Sequence, residues 1–287
     1  MFETLKNVFR VKEMRRKLLY LIWMIFIIRI GCQIPVPGVD SDFFKQWFSS
    51  NAGDAFNFFD AFTGGSFERM SIFALNITPY ITSSIIIQLL TIAIPALEEM
   101  QRDGEEGRKK MTAITRYVTV GLALFESIAM AIGFGRQGMI PNLDFFKGVV
   151  VVACLTAGSA MLMWLGERIT EKGVGNGISI VLTINIISRV PSDLTLLYEN
   201  FIKGKTIAKG TLAGLIIAAV ILLVVVLVLI LNGAERRIPV QYSRKMVGRK
   251  MMGGQSTNIP LKVNTAGVIP VIFASSIMSF PSIIAQF

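Results

Sequence analysis

Nucleophiles and metal ligands are scarce in this chain, which holds 0 histidines and 2 cysteines. Without an imidazole there is no base for a Ser-His-Asp or Cys-His nucleophile, and no His ligand for a catalytic zinc. Serine-type hydrolysis, rhomboid-like intramembrane proteolysis and nearly all zinc hydrolysis are excluded on that ground. Cys32 and Cys154 both fall in apolar runs, which predicts buried free thiols rather than a disulfide framework. Carboxylates could do acid–base work alone, but they cluster in loops, and Glu126 is the main one within an apolar run. No phosphate loop, cofactor motif or metal-ligand spacing occurs, so neither catalysis nor a cofactor is expected. Gly173-Val-Gly-Asn-Gly follows no strand and reads as a tight turn before a short helix.

The polar residues that need an explanation lie elsewhere. Leu75–Pro95 is long and apolar enough for a membrane helix, which takes about 20 residues. It nevertheless carries Asn76, Thr78, Thr82, Ser83, Ser84, Gln88 and Thr91, with Pro79 near its start. Hydroxyls and amides at membrane depth face protein or a water-filled cavity, where they find partners. The preceding stretch, Phe56–Phe73, is apolar on one side but too short and too broken to span. A re-entrant piece followed by a polar-streaked helix points to a pathway through the membrane.

The remaining elements must position that pathway. The chain has 287 residues, 53% hydrophobic and 17% charged, with a mean hydropathy of +0.60, which indicates a multi-span membrane protein. Residues 1–17 form a basic amphipathic segment expected to lie on a membrane surface. Spans are expected at 18–34, 75–95, 113–134, 145–165, 177–190, 210–231 and 263–287, the fifth being short and ending before Pro191. Arg29, inside the first, is expected to snorkel to an interface. Charged or basic loops are expected at 96–116, 166–176 and 232–262, with a mixed loop at 191–209. Of the 29 Lys and Arg residues, 20 fall on the side of the amino terminus and 8 on the other. That bias puts the amino terminus in the cytoplasm. Positive charge confined to those loops suits anionic lipids and docking partners better than a nucleic-acid fold.

Five stretches together resemble the SecY family, the pore subunits of protein-conducting channels. They are ITPYITSSIIIQLL (77–90), DGEEGRKKMTAITRY (103–117), MWLGERITEKGVGNGISI (163–180), ERRIPVQYSRK (235–245) and QSTNIPLKVNTAGVIPVIFASS (255–276). The resemblance runs over essentially the whole chain. It implies an all-α, polytopic membrane helix bundle: the first half of an inverted-repeat translocon channel (18–190) and the start of the second (191–287). The family has ten spans and this chain has seven, so a fragment or a truncated gene product is expected.

The resemblance also implies roles. Ile77, Ile81, Ile178, Leu182 and Ile272 would form an aliphatic ring that seals around a moving polypeptide. Aliphatic side chains cannot hydrogen-bond a passing chain, and an apolar constriction resists wetting. Ordinary helix packing is the bland alternative. Residues 56–74 would be the plug, with Phe59, Phe62, Gly64, Gly65, Phe67, Arg69 and Met70; the spacing of Phe67, Met70 and Phe73 fits a short, loosely held helix. Thr82 and Ser83 would face Ser275, Ser276, Ser279 and Phe280 across a lateral gate toward lipid. Arg236, Arg237, Arg244, Lys245, Arg249 and Lys250 would dock the ribosome or the SecA ATPase. Further implied partners are SecE, SecG, signal peptides, nascent chains and anionic lipids, in a bacterial plasma membrane. The rival reading is a small-solute secondary transporter, which would carry a charged or ion-coordinating residue near the midplane.

Overall fold

The chain is described from a computed structural model. It describes residues 11–41, 43–46, 60–136, 138, 140, 144–203, 207–240, 245–247, 250–252, 257–265, 267 and 274. Seven helices are described: α1 Lys12–Gly31, α2 Thr78–Ala93, α3 Pro95–Arg102, α4 Gly104–Arg136, α5 Phe145–Lys172, α6 Gly177–Phe201 and α7 Ile207–Gly233. Four strands follow: β1 Glu235–Val240, β2 Lys245–Val247, β3 Lys250–Met252 and β4 Thr257–Lys262. By length and composition α4, α5, α6 and α7 could each cross a membrane, and α2 with α3 would make a fifth, bent span. The expected seventh span lies almost wholly outside the described residues.

Two compact units divide the chain, Met1–Pro191 with Phe273–Phe287, and Ser192–Ile272. In the first, α1 runs without a break through the expected boundary at residue 17, so residues 12–17 of the basic segment share one helix with most of the expected first span. Helix α2 begins at Thr78 with Pro79 in its first turn, where a missing N–H costs nothing. Pro95 ends it. The residue before a proline is pushed to extended geometry, and Ile94 sits at φ −114°, ψ 110°. The axis then turns by 104° into α3.

The expected loop at 96–116 is therefore mostly helix, α3 and the first turns of α4. Gly107 makes this possible, because a Cβ there would lie 1.6 Å from the Met100 carbonyl oxygen. The loop expected at 166–176 shrinks likewise, since α5 continues to Lys172. Only 173–176 turn, with Gly175 at φ +77°, and the Asn176 side chain accepts from Ile178 N at 3.1 Å to cap α6. The expected stop before Pro191 is not observed. Helix α6 runs through it to Phe201, at the loss of the one backbone bond that a proline removes.

Two apolar clusters hold the first unit together. One joins Val36, Phe44, Phe67, Met70 and Leu75 to Ala123, Met130 and Phe134 of α4 and to Val151 and Leu155 of α5. The other joins Ile28 and Cys32 to Phe73, Ile77, Leu162, Leu165, Ile169 and Val181. Both cysteines are free, Cys32 buried and Cys154 half-buried.

In the second unit, an 18-residue window of α7 within Gly210–Gly233 has a mean hydropathy of 3.6 and no buried residue. Its side chains are made for lipid or a partner. The 232–262 region, expected as a loop, instead contains two antiparallel pairs. β1 pairs with β4 from Glu235↔Lys262 to Val240↔Thr257, and β2 pairs with β3 from Lys245↔Met252 to Val247↔Lys250. Pro239 and Pro260 cannot donate to a further strand, which limits this ribbon to two.

Glycine contacts set the tightest approaches. A Cβ on Gly158 of α5 would lie 2.0 Å from the Ile72 carbonyl oxygen, whereas one on Gly121 of α4 would meet nothing within 4 Å. Gly158→Ala is expected to destabilise the chain by about 1–3 kcal/mol, the usual cost of overpacking. Gly121→Ala is expected to leave stability unchanged or raise it by up to about 1 kcal/mol through helix propensity. Thermal unfolding midpoints of both variants in detergent measure the contrast.

Candidate functional site

Just before α2 the chain runs from Gly64 to Ile77 without helix. Asp60–Thr63 is helical, and turns follow to Ile77. Gly64 and Gly65 take φ +68° and +80°, and Met70 and Asn76 take +43° and +52°. Asparagine tolerates that left-handed region because its short amide can bond locally. The stretch also pairs with residues just past α1: Val36 N donates to the Met70 carbonyl at 2.9 Å and Ile72 N to the Ile34 carbonyl at 3.0 Å.

These residues are neither a continuous helix nor loosely held. Phe67, Met70 and Phe73 are 1–3% exposed, and full burial of each such side chain contributes about 1.5–3 kcal/mol. Phe67 packs edge-on against Phe44, with ring centroids 5.8 Å apart. The Phe73 ring lies so close to Gly31 that a Cβ there would be 2.0 Å away. Arg69 is exposed and its guanidinium donates to Gln33 Oε1. Phe62 is half-buried, and Phe59 lies outside the described residues.

A buried polar network ties the same stretch to its neighbours. Asn76 Nδ2 donates to the Phe62 carbonyl at 2.9 Å, and Asn185 Nδ2 of α6 donates to Asn76 Oδ1 at 3.1 Å. Ser159 Oγ of α5 donates to the Asn76 carbonyl at 3.3 Å. Arg29 does not snorkel: its Nη1 reaches across to Asn185 Oδ1 at 3.4 Å. Asp60, with no exposed surface, forms an ion pair with Arg189 of α6 and accepts from Glu68 N at 2.9 Å. Gly64 fits beneath α6, where a Cβ would come within 2.6 Å of the Asn185 carbonyl oxygen.

Asp60, Asn185, Ser188 and Arg189 were not expected to act. Their signal was present in the sequence: 185, 188 and 189 stand at i, i+3, i+4 and so share one helical face. Glu126 is half-buried on α4, and among the described residues no group of three or more Cys, Asp or Glu could hold a metal.

Of the expected aliphatic ring, Ile77 and Ile81 at the start of α2 and Ile178 at the start of α6 meet in the second apolar cluster. Ile77 is fully buried there, whereas Ile81, Ile178 and Leu182 keep partial exposure. Ile272 lies outside the described residues. Ser83 is spoken for on the α4 side, with Oγ 2.5 Å from Thr119 Oγ1, rather than offering an exchangeable contact; Thr82 is half-buried. Ser275, Ser276, Ser279 and Phe280 lie outside the described residues. Arg236 and Arg237 are exposed on β1, and Lys245 and Lys250 stand on β2 and β3. Arg244 and Arg249 lie outside the described residues.

Comparison with known proteins gives the family and the fold. The SecY family profile matches residues 71–287. The SecY translocase subunit of Halalkalibacterium halodurans is 44% identical over 99% of this chain and 67% of its own length. That of Pseudomonas aeruginosa is 43% identical over 95% of this chain and 61% of its own length. A solved protein-conducting channel superposes with a TM-score of 0.62 at 19% identity, covering 95% of this chain and 58% of the channel chain. A SecY structure concerned with the plug domain and the closed state superposes with a TM-score of 0.60 over the same shares. The chain thus spans roughly three fifths to two thirds of the proteins it resembles, and it belongs to the SecY family of membrane proteins.

Proposed function

We propose that this chain forms the pore of a protein-conducting channel, passing unfolded secretory polypeptides across a bacterial plasma membrane and releasing membrane segments sideways to lipid. One observation carries the reading. Aliphatic side chains from the first turns of two helices, Ile81 on α2 and Ile178 on α6, stand half-exposed at the edge of one apolar cluster, immediately after a buried non-helical stretch. A gasket needs groups that seal without bonding, and a closed channel needs a segment lodged beside it. In this reading residues 56–74 are the plug and Ile81, Ile178, Leu182 and Ile272 line the constriction. Ile77 packs behind it.

The exposed arginines of the β1–β4 ribbon, with the lysines of the β2 and β3 sequence, are the docking surface for a ribosome or the SecA motor. A solved relative is a channel in complex with a ribosome. Ribosomal RNA draws such a surface electrostatically, and the bonds will weaken with salt. SecE, SecG and lipid are natural cover for the exposed α7. The amino terminus lies in the cytoplasm in this reading, consistent with the bias of basic residues.

Site-specific photocross-linking from Ile81, in the assembled channel, is expected to capture a stalled secretory chain and to depend on a working signal sequence. Cross-links to lipid or neighbouring helices alone would reduce the ring to packing. Ile81→Asn places a hydrogen-bonding group at the constriction and is expected to raise ion conductance of reconstituted channels several-fold. Unchanged conductance would remove Ile81 from the seal.

A further inference from the structure

The stretch that the proposed function reads as a plug is held by charges and amides as well as by apolar packing. Asp60 is completely buried and paired with Arg189, itself 18% exposed, and Asn185, one turn earlier on α6, binds Asn76 at the other end of the stretch. Both contacts are made to a single face of one helix. A buried ion pair returns little net stability, because the desolvation of two charges offsets their attraction. The same groups regain full hydration when water reaches them. Apolar contacts behave the other way and lose free energy on wetting.

We propose that the Asp60–Arg189 ion pair and the Asn76–Asn185 bond form a polar latch that fastens residues 60–76 to α6 and releases by hydration. The latch sets the position of the closed segment while keeping the cost of parting low. It rests on reading this stretch as the plug, and it names α6 as the helix from which the plug parts.

Cys32 supplies a native reporter. It is 2% exposed, clusters with Phe73, and lies just ahead of Ile34 and Val36, which pair with residues 70–72. Cys154, half-buried on α5, serves as the internal control. The experiment is labelling by a membrane-impermeant maleimide, in phospholipid vesicles, with each site resolved by mass spectrometry. Asp60→Asn keeps the acceptor used by Glu68 N but removes the negative charge facing Arg189, and Arg189→Met removes the positive charge facing Asp60. Each is expected to speed Cys32 labelling about tenfold while Cys154 is unchanged, and the double variant is expected to return within about threefold of the parent.

Singles that label at the parent rate, a double as fast as the singles, or Cys154 rising in step with Cys32 would each overturn the latch. If the charge variants fail to insert, Asn185→Ala removes the amide that holds Asn76 and accepts from Arg29, and leaves the Asp60–Arg189 pair in place. It is expected to speed Cys32 labelling about threefold, and an unchanged rate would overturn the proposal. A Cys32 response without a nascent-chain cross-link at Ile81 would keep the latch and remove the conduit, and the converse would remove the latch alone.

Discussion

Backbone N–H and C=O groups at membrane depth have no water to turn to, so a non-helical stretch survives there only inside protein. Residues 64–77 are such a stretch, and much of the first unit is arranged to enclose it. Val36, just past α1, pairs with it at Met70, α5 reaches it from Ser159 and admits Ile72 at Gly158, and α6 reaches it from Asn185. Phe134 of α4 closes the same cluster as Phe67. The long helices are the walls that this requirement needs.

Apolar and polar forces divide the work within that enclosure. Phe67, Met70 and Phe73 supply most of the holding energy, since dispersion and burial add with area. Burial has no direction, however, and would accept the stretch in more than one register. Asn76 removes that freedom. Its left-handed backbone turns the chain into α2 while its amide satisfies Phe62 and Asn185 together. The Asp60–Arg189 pair does the same at the other end, contributing position more than net stability.

Helix positions and class were readable because hydropathy over 18 or more residues is a summed signal that local detail hardly disturbs. The ends were not. Pro95 ended α2 as its chemistry predicts, but Pro191 did not end α6, which continues at the loss of one backbone bond. Arg29 shows the limit of single-residue rules. An arginine near a span end usually snorkels, yet this one finds Asn185, 156 positions away, and nothing local to either residue announces the pairing. The strands of 232–262 were hidden for another reason: their stability comes from cross-strand pairing between short segments separated by turns, which no window along the chain records.

Ser83 bears on how such a channel could open sideways. It bonds Thr119 of α4, and Ile87 and Thr91, at i+4 and i+8, are also buried, so one stripe of α2 is turned away from solvent. Gly107 seats α3 closely against the start of α4, next to the Met100 carbonyl. Thr82 and Ile85 flank that stripe half-buried, and Gln88, Leu89 and Leu90 are exposed. In the proposed channel reading, a lateral opening along α2 would part at these less buried positions. Its polar contacts there would each be worth only about 0.6–2 kcal/mol, so they could be exchanged for those of an arriving helix.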